Sequence, residues 1–218
     1  MRRAALLAGI LAVGFTLFSG VVSGGALRVF DRQVAVAMAG VYNPALLTPF
    51  RALALLGGLE LTTLLAVGLF AYLWRHGHRL GAWSAAALPI ASLVELADKH
   101  FVDQPSPPLS ISHPDGPSLT SFFEGLPGTG WSFPSGHMTR AVVVYGLIAF
   151  VVGRLAQRSW ERRLAPIVAT VLLAAIAFDR LYLAVHWESD VIGALLLGGC
   201  FLAAAISWLE WSATRERV

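Results

Sequence analysis

His186 and Asp190 stand four residues apart, a spacing that puts two side chains on one face of a helix. A carboxylate so placed can hold one imidazole nitrogen and leave the other free to attack an electrophile. Arg180 precedes His186 by six residues, about 240° around a regular helix. The helix must therefore break between them if both are to meet one ligand. A second group, Pro134-Ser135-Gly136-His137, opens an apolar run. Ser135 suits a helix N-cap. The same start offers free N–H groups and a positive dipole end, which bind phosphate, and Gly136 admits close backbone approach. His137, in the first turn, can donate a proton to a leaving oxygen. Lys99 adds a compact positive charge, with Glu95 one helical turn before it. Each group also has a plainer reading. Arg180 and Lys99 suit arginine and lysine anchors at a membrane surface, and His186–Asp190 suits a helix-start pair.

The elements that must position these residues are apolar. The chain has 218 residues, 56% hydrophobic and 13% charged, with mean hydropathy +0.68. A soluble domain carries roughly 25% charged residues, so most of this chain is solvated by lipid. Apolar runs over about residues 4–22, 52–74, 80–97, 137–152, 166–182 and 189–208 predict six transmembrane helices. The expected fold is an all-α polytopic membrane protein, a single domain over 1–218 with its motif core at about 99–193. Residues 26–49 read as an amphipathic surface segment, and about 100–133 as a long polar loop. The first run favours a retained anchor over a cleaved signal peptide, because it is long for a signal sequence. Cys200 has no cysteine to pair with, and no Cys/His cluster has zinc-site spacing.

Basic residues collect on cytoplasmic loops. With the N-terminus inside, Arg2, Arg3, Arg75, Arg79, Arg154, Arg158, Arg162, Arg163, Arg215 and Arg217 face the cytoplasm. Arg28, Arg32, Arg51, Lys99, Arg140 and Arg180 face out. Both termini are then cytoplasmic, and all three polar groups end at the periplasmic or extracellular face. This is a membrane pattern of charge and not a nucleic-acid stripe.

Taken together, the groups resemble the type-2 phosphatidic acid phosphatase superfamily. Its signature is Lys-x6-Arg-Pro, then Pro-Ser-Gly-His, then Ser-Arg-x5-His-x3-Asp. The second motif is complete at Pro134 to His137. The third matches in spacing at Arg180, His186 and Asp190, and Asp190-Val191-Ile192-Gly193 continues it. The resemblance implies a lipid phosphatase of the cell membrane. His186 would be the nucleophile of a phosphohistidine intermediate and Asp190 would orient it. His137 would protonate the leaving group and then activate water. Lys99, Ser135, Gly136 and Arg180 would hold the phosphoryl oxygens, with Arg140 and Ser106 as further candidates and no metal or cofactor needed. Candidate substrates are phosphatidic acid, phosphatidylglycerol phosphate and polyprenyl phosphates or diphosphates. Composition rich in Ala, Gly, Leu and Arg, with few lysines, fits a bacterial envelope role. A phosphotransferase acting on a lipid or sugar acceptor, or a non-catalytic member that binds lipid phosphate, are the competing readings.

The family pattern is broken in three places. Ser106 stands where the first-motif arginine belongs, Gln104 where a further arginine sometimes precedes it, and Asp179 where the third motif opens with serine. Arg140, three residues after His137 on the same helix face, is the candidate to replace the lost guanidinium; its plainer reading is a headgroup anchor or a partner of Asp179. His100 and His113 are expected to be loop residues without a role. Glu60 is placed mid-span, where a carboxylate is costly unless it faces the bundle, and a structural hydrogen bond is its expected use.

Overall fold

A computed structural model describes residues 1–115 and 131–216. Arg217 and residues 116–130 of the expected polar loop lie outside the described residues. The architecture is helical: α1 Arg2–Ser23, α2 Arg28–Val41, α3 Leu47–Ala54, α4 Leu59–Arg75, α5 Arg79–Ala82, α6 Ala87–Phe101, α7 Gly136–Leu155, α8 Ser159–Tyr182 and α9 Glu188–Arg215. Among the described residues, six stretches are long and apolar enough to cross a bilayer: α1, residues 44–75, residues 79–101, α7, α8 and α9. Six spans are as the apolar runs predict. They form because lipid offers no partner for a backbone N–H or C=O, so each crossing segment must satisfy its own.

The centre of the bundle is α7. Met138, Thr139 and residues 141–145 are all buried, and α4, α6, α8 and α9 pack around them. A helix apolar on every side belongs inside. Along α9, α1 makes an extensive helix contact, and its Phe15 ring stacks on Phe133 at 5.8 Å. Phe133 in turn lies against Gly193 of α9. A methyl there would stand 2.3 Å from the ring, so only glycine lets the segment before α7 pack onto α9. Leu6, Leu7, Ile10, Val13 and Leu17 of α1 remain exposed, the surface a bilayer would cover.

Several boundaries differ from expectation, for physical reasons. The second span starts at Pro44 and is broken by a 3₁₀ turn at Leu55–Gly57, with Gly58 extended before α4. Glu60 stays near the middle of this longer span, just after the break. It lies in the first turn of α4, exposed, where a carboxylate complements the dipole. The broken turn frees carbonyls, and α7 takes them: Tyr145 Oη donates to Leu56 O (2.7 Å) and Arg140 Nε to Gly57 O (3.3 Å). The fifth span begins at Ser159, with Pro166 inside the helix, because a lipid-facing chain keeps its ladder through one missing donor. His100 belongs to the last turn of α6 and not to a loop.

At one end of the bundle lie the C-termini of α1, α6 and α8 and the N-termini of α7 and α9. The opposite end is tied by charge. The Met1 ammonium pairs with Glu210, Arg154 approaches Glu210 at 3.8 Å, and Glu216 accepts from Leu80 N–H at 2.5 Å.

Candidate active site

The three polar groups meet at the first of these ends. Lys99, Ser106, Gly136, His137, Arg140, Arg180 and His186 line one cavity of about 860 Å³. Glu95 and Asp115 line it too.

α8 stops at Tyr182, and Ala184 takes a left-handed conformation (φ 48°) in the turn that follows. This is the break that the Arg180–His186 spacing requires. His186 is not on a helix, however. It precedes Trp187, the N-cap of α9, and Asp190 reaches back to it from the first turn. Asp190 Oδ2 accepts from Trp187 N–H at 2.9 Å and lies 3.2 Å from His186 Nδ1. One carboxylate oxygen thus caps the helix and holds the imidazole, leaving Nε2 outside this contact. Asp190 is fully buried.

Pro134-Ser135-Gly136-His137 enters α7 beside this turn. Ser135 N–H donates to Asp190 O at 3.1 Å, which ties the second motif to the third. The capping expectation for Ser135 does not hold. Its hydroxyl makes no cap bond, and although fully buried it finds no partner among the described residues. An orphaned buried hydroxyl at a helix N-terminus suits an anion absent from the structure. Gly136 is needed for space. A methyl there would lie 2.9 Å from Arg140 Nη1 and 3.0 Å from Glu95 Oε1.

The cations are arranged around three carboxylates, Glu95, Asp179 and Asp115. Lys99 Nζ lies 3.2 Å from Glu95 Oε1, as the four-residue spacing suggests, and Arg140 Nη1 lies 3.9 Å from Glu95 Oε2. Arg180, 1% exposed, donates from Nε to Asp179 at 2.8 Å and also pairs with it through Nη2. Asp179, the departure from the family serine, is thus a brace for Arg180. On its other side Arg180 grips Asp115 with two bonds, Nη1 to Oδ2 at 2.5 Å and Nη2 to Oδ1 at 3.0 Å. His137 Nε2 is 3.6 Å from Asp115 Oδ2.

Sequence reasoning missed two features of this end. One is Asp115. The other is a buried knot below the α9 start. Asp31 of α2 accepts from Ser189 N–H (2.9 Å), Ser189 Oγ (2.8 Å) and Gln104 Nε2 (3.1 Å). Burial raises the Asp31 carboxyl above the ordinary carboxylate range, against the pull of those bonds. Gln104, in place of an arginine, ties the chain after α6 to α2 and α9.

A sequence profile of the PAP2 superfamily matches residues 80–213. The chain belongs to the PAP2 superfamily. Among curated relatives, phosphatidylglycerophosphatase B of Bacillus subtilis (strain 168) is 39% identical over 71 residues, 32% of this chain and 35% of that protein. "Putative undecaprenyl-diphosphatase YbjG" of Escherichia coli (strain K12) is 40% identical over 79 residues, 35% of each chain. These alignments span about a third of either relative's length. The PAP2 fold extends much further. The crystal structure of a transmembrane PAP2-type phosphatidylglycerolphosphate phosphatase from Bacillus subtilis superposes with TM-score 0.75 and 22% identity, over 94% of this chain and 96% of that one.

Proposed function

We propose that this protein hydrolyses a phosphate ester or anhydride of a membrane lipid through a phosphohistidine. The observation that carries the reading is the shape of the cavity. At one end are two imidazoles and three cationic side chains. From there it runs between α4 and α6 past Leu59, Ala66 and Phe70 on one wall and Leu93, Pro89 and Trp83 on the other. Leu59 to Phe70 covers about 16 Å of helix, half the depth of a ~30 Å hydrocarbon core. A charged headgroup and an apolar tail fit such a space; a small soluble ester uses only its mouth.

In the proposed reaction, His186 Nε2 attacks phosphorus in line with the leaving oxygen. The P–N bond forms as the P–O bond to the lipid breaks, and His137 delivers a proton to the departing oxygen. Asp190 holds Nδ1–H and balances the charge that develops on the ring. Lys99, Arg140, Arg180, the Ser135 hydroxyl and the free amides of the α7 start stabilise the equatorial oxygens. His137, now neutral, takes a proton from water, whose oxygen attacks phosphorus and breaks the P–N bond. Inorganic phosphate leaves. These fixed cations make the reaction independent of added metal.

The site end is proposed to face away from the cytoplasm. Arg75, Arg79, Arg154 and Arg158 gather at the opposite end, the side where basic loops are retained. Candidate substrates are phosphatidate, phosphatidylglycerophosphate and polyprenyl diphosphate. The test is phosphate release by purified protein from each of these and from glycerol 3-phosphate, with and without chelator. We expect kcat/KM for at least one lipid to exceed that for the soluble ester at least about tenfold, unchanged by chelator. Equal turnover of the soluble ester, or none of any lipid, would defeat the reading.

A further inference from the structure

The anion position in this site is already filled from within the chain. Asp115 presents two carboxylate oxygens to the two terminal nitrogens of Arg180, the same parallel grip that a guanidinium gives two phosphate oxygens. Its Oδ2 also lies 3.6 Å from His137 Nε2. Arg180 Nε and Nη2 are engaged by Asp179 as well. Little donor capacity remains for an incoming phosphate while Asp115 stays in place.

The segment that carries Asp115 is held by contacts independent of Arg180. The His113 ring stacks on Tyr42 at 4.1 Å with the planes 7° apart. His113 N–H donates to Leu183 O at 2.8 Å. Arg51 Nε donates to Pro114 O at 3.0 Å. Tyr42 is itself fixed, because its neighbour Asn43 donates its N–H to Tyr182 Oη at 2.7 Å. The carboxylate is thus delivered to Arg180 by three anchors on α3, α8 and the chain after α2.

We propose that Asp115 is a resident competitor for the phosphate position, which an incoming phosphoryl group must displace from Arg180. The proposal rests on the phosphate-site reading above. Displacement lowers apparent affinity by the fraction of molecules in which Arg180 is free. A lipid substrate offsets that cost with its tail, which occupies the apolar groove in the same complex. Free inorganic phosphate bears the same cost with no tail to offset it, so it is left the weaker ligand. The site therefore releases phosphate readily and resists its rebinding.

The test is competitive inhibition of lipid hydrolysis by inorganic phosphate, with full-length protein in detergent micelles. Asp115→Asn keeps the size and removes the charge. We expect its inhibition constant to fall about tenfold relative to wild type, with a fall in KM for the lipid in the same direction. An unchanged or higher inhibition constant would overturn the proposal and make Asp115 a structural brace. Should Asp115→Asn fail to fold, His113→Ala, which removes the stack on Tyr42, carries the same expectation and the same contrary result. If wild type hydrolyses no lipid and binds no phosphate, the phosphate-site reading fails and the proposal with it. If wild type does both and the variants bind phosphate no tighter, this inference alone fails.

Discussion

Replacing His186 by alanine is expected to lower kcat on the preferred lipid by about 10⁴-fold or more, the scale seen when a covalent nucleophile is removed. KM should move little, because the groove between α4 and α6 and the cations around Glu95 are untouched. The fold should survive. Asp190 Oδ2 keeps its bond from Trp187 N–H, so the α9 start loses one of two contacts and not both. The variant also distinguishes hydrolysis from passive lipid binding: a binding protein would lose no turnover because it would have none. Steady-state phosphate release by monodisperse wild type and variant is the measurement. A loss below tenfold would remove His186 from the chemistry.

Arg140→Ala is expected to lower kcat about ten- to a hundredfold. That range follows from losing one charge-assisted contact, ~1.5–3 kcal/mol, at 1.36 kcal/mol per decade. Arg140 is 5% exposed and buried beside the α7 start, with Nη1 close to Gly136. Ser106, where the family carries arginine, lines the same cavity. We propose that the guanidinium has moved from the loop after α6 to the first turns of α7. Glu95 would keep Lys99 at 3.2 Å when Arg140 is removed, so it is not left buried without a cation. The informative companion is Ser106→Arg in the Arg140→Ala background, which should restore part of the lost rate. Activity of Arg140→Ala within twofold of wild type would end the idea.

The six spans were legible because a bilayer imposes its thickness on the sequence: about 20 apolar residues per crossing. The break at Gly57 was not. Adjacent glycines inside an apolar run are common in membrane helices, and only Arg140 and Tyr145 of α7, bonding the freed carbonyls, make this pair a bend. His137, Arg180, His186 and Asp190 were legible because spacing along a chain survives folding. Their geometry was less so: the four-residue spacing suggested a shared helix face for His186 and Asp190, whereas the structure reaches the same contact from outside the helix, through a capping carboxylate. Ser135 read as a cap and is instead an orphaned hydroxyl. Asp115, Asp31 and Gln104 carry no periodic signal. Each docks through one-off contacts between segments far apart in the chain, such as Asp31 with Ser189, and no local pattern announces them.

The central claim is that phosphate passes through His186. The direct measurement is rapid quench of the protein with a ³²P-labelled lipid phosphate, under alkaline conditions that preserve phosphohistidine, followed by peptide mapping. The account predicts acid-labile label on His186, absent from His186→Ala. Phosphate release at full rate with no label on the protein at any quench time, or label on a residue other than His186, would contradict it.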